Sequence, residues 1–117
     1  MSGARSYHAG LAAEDIVANH YETKGAQVLQ RRWRGKAGEI DLIFEHAGVV
    51  IFVEVKQSRD TATAALHLTG RQAARIYAAA EEYLATRPGG LLTDTRIDAA
   101  LVDGQGAVTI IENAITR

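Results

Sequence analysis

Residues 38–56 constrain the fold more than any other stretch, because they contain two apolar strands joined by a tight turn at His46-Ala47-Gly48. The second strand is apolar on both faces, which is typical of a strand buried between two layers. Strand geometry puts Glu54 and Lys56 on one face of it, and the first strand carries Asp41. Buried charged side chains are normally paired, bound to a metal or exposed to a cleft. The charged end of this hairpin is therefore the predicted functional site.

The segments around the hairpin predict an α/β fold, with residues 1–117 forming one domain and residues 1–7 expected to be flexible. The predicted order is a helix over about 8–24, a strand over 26–34, the two hairpin strands, a loop, a helix from Thr69, and strands over 95–102 and 107–111. A strand, a helix and a further strand imply a right-handed parallel crossover. The order α-β-β-β-α-β-β thus predicts a mixed central sheet flanked by helices.

Composition excludes several classes of protein. The net charge is −1, and the absence of cysteine excludes disulfides and thiolate metal sites. No apolar run approaches the roughly 20 residues that a membrane-spanning helix needs. The first residues lack the apolar core of a signal peptide. We expect a cytoplasmic protein without a membrane-spanning segment.

Asp41, Glu54 and Lys56 form a pattern that suits a hard divalent cation. Mg²⁺ prefers oxygen ligands and keeps several waters, so two carboxylates and the backbone carbonyl of Val55 would suffice to hold Mg²⁺ or Mn²⁺. Lys56 would orient or help to deprotonate a water, or stabilise charge on a phosphate, and the reaction would be phosphodiester hydrolysis. The alternative is an ion pair of Lys56 with Glu54 or Asp41 at the end of the sheet.

Two further features bear on such a site. Glu14 lies on the apolar side of the first helix, where it would form a salt bridge at the edge of the core or point into the site. A run of basic residues could bind phosphate groups, although charge alone favours a solvated strand end with a hairpin turn. Its members are Arg31, Arg32, Arg34 and Lys36.

Several blocks of the sequence together resemble a known family, and they cover nearly the whole chain. These blocks are Gly10-Leu11-Ala12-Ala13-Glu14, Gly38-Glu39-Ile40-Asp41-Leu42-Ile43, Phe52-Val53-Glu54-Val55-Lys56, Arg96-Ile97-Asp98 and Asn113-Ala114. They look like the signature blocks of the YraN-like bacterial proteins, uncharacterised protein family 0102. That family is assigned to the restriction-endonuclease-like superfold and is similar to archaeal Holliday-junction resolvases.

The resemblance implies a nuclease core in which Asp41, Glu54 and Lys56 take the catalytic positions. Glu14 matches the acid that can join the metal site in such cores. The implied substrate is DNA or RNA, with branched DNA as one form. Resolvase-like enzymes act as dimers on substrates with two-fold symmetry, so a homodimer is an open alternative.

Two departures from the family pattern affect the phosphate-binding side. The basic residue that usually follows the Glu-x-Lys block comes one position later, at Arg59 in Gln57-Ser58-Arg59. The second helix carries Gln72 where family members usually have lysine, which leaves Arg71 and Arg75 as substitutes. The missing lysine at Gln72 and the basic run at 31–36 favour, as the alternative, a nucleic-acid-binding module that keeps the fold without catalysis. A partner-binding protein whose charges only form ion pairs is the third hypothesis.

Overall fold

The computed structural model describes residues 3–57 and 70–114, with side chains from Ala12 onward in the first segment. Its elements are α1 (Gly3–Thr23), β1 (Gln27–Arg34), β2 (Glu39–His46), β3 (Val49–Gln57), α2 (Gly70–Leu84), β4 (Thr95–Val102) and β5 (Val108–Ile111). This order confirms the predicted α-β-β-β-α-β-β core of restriction-endonuclease-like proteins. Within the described residues, no helix is long and apolar enough to cross a membrane.

The five strands form one mixed sheet in the order β1-β2-β3-β4-β5. β3 lies at its centre and pairs in parallel with β4, while the other neighbouring strands are antiparallel. A parallel pair needs a long crossover connection, and the segment that contains α2 provides it. The carboxyl ends of β3 and β4 therefore lie at the same edge of the sheet, which is where β3 carries Glu54 and Lys56.

Each face of the sheet is covered by one helix, and β3 contributes side chains to both layers. The α1 layer contains Ile51 and Val53 of β3, together with Val17 and Tyr21 of the helix. The α2 layer contains Val50 and Phe52 of β3, and Ile76, Ala79, Ala80, Tyr83 and Leu84 of the helix. This double burial explains why β3 is apolar on both faces.

The turn between β2 and β3 fixes how these two strands pair. Ala47 and Gly48 both have positive φ, 52° and 83°, as the two-residue turns of tight hairpins require. The turn sets the register that begins with His46 opposite Val49. Because a shift of one residue would exchange the two faces of a strand, this turn determines which charged residues meet at the far end.

The helix boundaries differ in one respect from the predicted ones. α1 begins at Gly3 rather than at 8, because the segment before His8 contains no proline and its alanine favours a helix. Most of the predicted loop after β3 and the predicted helix start at Thr69 lie outside the described residues. The flexibility expected for residues 1–7 stays a prediction.

The buried carboxylate of Asp98 binds residues of three segments on the side of the sheet opposite to Glu54. Asp98 is fully buried and accepts hydrogen bonds from the Tyr21 hydroxyl at 2.7 Å and from Nε and Nη2 of Arg96 at 2.9 and 3.1 Å. The backbone N–H of Asn113 donates a further bond to Oδ1 of Asp98 at 3.1 Å. Arg96 and Asp98 form an ion pair at 2.9 Å, and the bonds of Asp98 link α1, β4 and the segment after β5.

We expect Asp98→Ala to lower the free energy of unfolding by about 3 kcal/mol, because it leaves a guanidinium and a hydroxyl without their buried acceptor. Urea unfolding followed by circular dichroism measures the loss. Asp15→Ala is the matched control, since its pairing with Arg31 is exposed and surface ion pairs contribute about 1 kcal/mol or less. Equal losses in the two variants would contradict a structural role for Asp98.

Candidate functional site

The candidate site lies where β2 and β3 separate. The two strands pair from His46 opposite Val49 as far as Leu42 opposite Val53. Beyond that point the first residues of β2 pair with β1 alone, and β3 continues beside β4 as far as Gln57. A gap therefore opens between the start of β2 and the end of β3.

The side chain of Asp41 fills this gap. Its Oδ2 atom accepts a hydrogen bond from the backbone N–H of Val55 at 2.8 Å. The carboxylate thus replaces the carbonyl group that a neighbouring strand would offer to Val55. Because the N–H and C=O groups of one strand residue point to the same edge, the Val55 carbonyl also faces the gap.

Glu54 brings a second carboxyl group into contact with the first. The half-buried Glu54 side chain interacts with Asp41, and this interaction favours the protonated form of Glu54. Burial, that interaction and the charge of Asp41 raise the pKa of Glu54 to about 8, although Arg75 and Lys56 oppose the shift. Ionising two neighbouring carboxyl groups costs free energy, and a bound cation would offset that cost by compensating their repulsion. The pair is therefore a strong candidate for cation binding.

A cleft of about 410 Å³ surrounds the two carboxyl groups, between the strand gap and α2. Its walls carry both acidic and basic side chains. The lining residues are Gly38, Glu39, Asp41, Glu54, Val55, Lys56, Gln72 and Arg75. The structure thus brings together the three predicted catalytic residues, the predicted carbonyl ligand and one of the two α2 arginines.

The turn between β1 and β2 forms one wall of the cleft, and α2 holds it in place. Gly38 has φ of 150°, and a Cβ atom there would lie 3.1 Å from Cγ and Cδ of Arg75. Glycine therefore allows the Arg75 side chain to lie against the turn. Oε2 and Oε1 of Glu82 accept the N–H groups of Lys36 and Ala37 at 2.9 and 2.7 Å.

Glu82 is a positioning residue that the sequence did not reveal. Its two bonds to backbone amides lower the pKa of its carboxyl group, so that group stays ionised. It lies two helical turns after Arg75 and so on the same side of α2. The sequence signal available was an acid seven residues after a cleft arginine, on the same side of the helix. The sequence does not show that the β1–β2 turn reaches this acid, because that contact depends on the fold.

The donor set fits a hard divalent cation without a third acidic side chain. Among the side chains of residues 12–57 and 70–114, no group of three or more from His, Asp and Glu converges in a way that could hold a metal ion. Asp41 and Glu54 would supply carboxylate oxygens, Val55 a carbonyl oxygen, and water the remainder. Mg²⁺ commonly keeps several waters and takes one or two carboxylates, so this set is sufficient.

Glu14 lies beside this set rather than in the wall of the cleft. It is 7% exposed, and its Oε1 accepts a hydrogen bond from Nε of Arg32 at 3.1 Å. Burial raises its pKa, Arg32 lowers it, and the charges of Asp41 and Glu39 raise it further. The core-edge salt bridge is thus present, and a part for Glu14 in metal binding stays a prediction.

The basic run of β1 is paired with acids instead of forming one cationic patch. Each of its three arginines faces a different acidic side chain, and two of these acids lie on α1. The pairs are Arg31–Asp15 at 2.7 Å, Arg32–Glu14 at 3.1 Å and Arg34–Glu39 at 3.8 Å. Lys36 is exposed at the turn, and Arg59 lies outside the described residues.

The arginines of α2 differ from those of β1 in this respect. Arg71 and Arg75 are exposed and one turn apart, so they share a face of the helix. Within the part of the chain that the structure describes, neither forms an ion pair. The positive charge near the cleft therefore lies on α2 and at Lys56.

A model of the uncharacterised protein family UPF0102 matches residues 13–102. The chain belongs to this family. A UPF0102 protein of Cereibacter sphaeroides strain KD131 is 56% identical over 114 residues, which cover 97% of each chain. A UPF0102 protein of Roseobacter denitrificans is 50% identical over 116 residues, 99% of this chain and 90% of the relative. One of Ruegeria pomeroyi is 54% identical over 112 residues, 96% of this chain and 91% of the relative.

UPF0102 membership confirms the YraN-like resemblance of the sequence. The matched range contains every residue that lines the cleft. The UPF0102 description names neither a reaction nor a ligand, so it assigns no activity to the site. The functional inference for this UPF0102 protein therefore rests on the chemistry of the cleft.

We expect the metal-free protein to lose stability as the pH rises, because of Glu54. Its pKa is 4.5 in the ordinary state and about 8 in the fold. The favourable contribution of this group is complete below pH 4.5 and is lost as the pH rises to about 8. Glu54→Gln removes this dependence.

The melting temperature in a chelator, followed by circular dichroism from about pH 5 to pH 9, measures this effect. Glu54→Gln should gain roughly 5 °C or more on the wild type over this range. Glu81→Gln, at an exposed α2 position, is the control and should follow the wild type. A constant difference between wild type and Glu54→Gln would contradict the contact of the two carboxyl groups.

Proposed function

We propose that this protein is a Mg²⁺-dependent endonuclease that hydrolyses phosphodiester bonds in nucleic acid at the cleft. The observation that carries the proposal is the contact of the Asp41 and Glu54 carboxyl groups in a cleft that also contains Lys56 and Arg75. Paired acids suit a divalent cation, and nearby fixed cations suit a phosphate group. The α-β-β-β-α-β-β order supports a nuclease function by analogy with restriction-endonuclease-like proteins.

Each cleft residue has a distinct part in the proposed reaction. Asp41, Glu54 and the Val55 carbonyl would hold Mg²⁺ or Mn²⁺, which when bound lowers the pKa of a water and neutralises phosphate charge. Lys56 would orient the attacking water or take its proton, and would stabilise the charge that develops on the phosphate. Arg75 would hold a phosphate oxygen through its guanidinium group, whose geometry suits that contact.

The charge distribution favours approach of the nucleic acid along α2. The β1 arginines already face acids at 2.7 to 3.8 Å, so each pair has little net attraction for phosphate. Arg71 and Arg75 add two positive charges on one face of α2, beside Lys56. A phosphate backbone would therefore cross α2 before it reached the two carboxyl groups.

Cleavage of linear DNA, branched DNA and RNA in Mg²⁺ or Mn²⁺ tests the catalytic proposal. We expect Asp41→Asn and Lys56→Ala to lower the cleavage rate at least about 100-fold, because each removes a group that acts on the reacting atoms. Asp15→Asn makes the same chemical change at an exposed site and should cleave like the wild type. Equal cleavage by all four proteins would indicate a contaminant or a different site.

A non-catalytic nucleic-acid-binding module is the second candidate. The observation that favours it is Gln72, which lines the cleft where family members usually carry lysine. A neutral side chain there reduces the positive charge available to a reacting phosphate. Salt-dependent binding without cleavage in either metal would select this function. Absence of both nucleic-acid binding and metal binding would leave the partner-binding hypothesis.

Both candidates predict that the α2 arginines bind the nucleic acid. We expect Arg71→Gln and Arg75→Gln to weaken DNA binding, and each should reduce the slope of log K against log salt by about one because it removes one phosphate-binding charge. Arg31→Gln and Arg34→Gln remove the same charge from paired positions and should leave the slope unchanged. Fluorescence anisotropy over a salt series measures all four. A larger effect at Arg31 and Arg34 would place the binding surface on β1.

A further inference from the structure

Arg32 has an unusual backbone conformation for its place in the fold. Its φ is 52°, in the left-handed region that a non-glycine residue seldom adopts. Among the described residues, two other non-glycine residues share this feature. Ala47 lies in the β2–β3 turn, and Asn113 belongs to a residue type that tolerates this region. Arg32 lies inside β1, where such strain calls for a reason.

The left-handed conformation of Arg32 does not belong to a β-bulge. An irregularity of the register in β1 occurs earlier, between Val28 and Gln30. On either side of Arg32 the two strands stay in register, with the pairs Arg31↔Leu42 and Trp33↔Ile40. Arg32 therefore lies across from Asp41, the first acid of the cleft.

The two strands exchange faces at this point. Residues two apart in a regular strand point to the same face. Yet Leu42 packs in the α1 layer, whereas Ile40 packs in the α2 layer. Trp33, the partner of Ile40, is also in the α2 layer, where its ring meets Tyr83 edge-on at 5.5 Å. The switch lies between these pairs, at Arg32 and Asp41.

The direction of the arginine side chains is consistent with this switch. Neighbouring residues of a regular strand point to opposite faces. Arg31 and Arg32 nevertheless both reach α1, where they bind Asp15 and Glu14. The ion pair of Arg32 involves a carboxylate that is 7% exposed, so it holds the side chain at a defined place.

We propose that Arg32 is a positioning residue of the cleft. The connection between Arg32 and metal binding rests on the proposed function. The left-handed backbone at Arg32 produces the face switch beside Asp41, where β2 stops pairing with β3 and the Asp41 carboxylate takes the place of a strand carbonyl at Val55. The ion pair with Glu14 holds Arg32 in that conformation. Glu14 thus affects the cleft through Arg32 and not as a ligand.

Substitutions that differ in their tolerance of positive φ test the backbone part. Asparagine accepts the left-handed region and valine does not. We expect Arg32→Val to shift the fluorescence emission of Trp33, the single tryptophan, to longer wavelength and to weaken Mn²⁺ binding at least about 10-fold. Arg32→Asn should keep the emission, and its Mn²⁺ affinity should stay near that of the wild type. Arg34→Val is the control on the same strand.

A double-mutant cycle tests the part of Glu14, and it does not depend on whether Arg32→Val folds. We expect Glu14→Gln to weaken Mn²⁺ binding in the wild type but not in Arg32→Asn, whose backbone needs no anchor. Calorimetric titration with Mn²⁺ measures each affinity. Equal weakening in both backgrounds, or unchanged emission and affinity in a folded Arg32→Val, would overturn the proposal.

Asp41→Asn separates failure of this proposal from failure of the proposed function. If the wild type and Asp41→Asn bind Mn²⁺ equally, the metal site itself is wrong. The emission of Trp33 in Arg32→Val and Arg32→Asn still decides on the face switch, because it requires no metal. An unshifted emission in Arg32→Val would then overturn the role of Arg32.

Discussion

The hydrogen bond between the Val55 amide and the Asp41 carboxylate is the contact on which the candidate site depends. It occupies the point where β2 leaves β3, and it fixes one carboxyl group against the end of a central strand. Glu54 is the preceding residue of that strand, and its carboxyl group interacts with the first. Two carboxyl groups are held together there, so ionising both costs stability in the metal-free protein and creates affinity for a cation.

The rest of the fold holds this unfavourable contact in place. Helices cover both faces of β3, and the buried Asp98 fastens α1 to β4 at the other side of the sheet. Near the cleft, Glu82 binds the backbone of the β1–β2 turn, and Arg75 packs against that turn. The apolar packing therefore lies away from the gap between β2 and β3, and polar contacts form the walls of the cleft.

The central acids could be predicted from sequence because short-range rules place them. Period-2 alternation and a tight turn bring Asp41 and Glu54 together, and apolar patterns predict the order of elements. The partners of Arg31 and Arg32 depend on how α1 docks; Arg32 and Glu14, for example, are 18 residues apart. The positive φ of Arg32 has no sequence signal, since arginine does not favour that region.

A crystal structure with Mn²⁺, with anomalous scattering used to locate the ion, tests the central claim most directly. We expect one strong peak in the cleft, about 2.1 to 2.3 Å from carboxylate oxygens of Asp41 and Glu54, as divalent cations of this size require. The same crystals of Asp41→Asn should lack it. No peak between the two carboxyl groups at saturating Mn²⁺, or a peak that persists in Asp41→Asn, would contradict the assignment of a metal site.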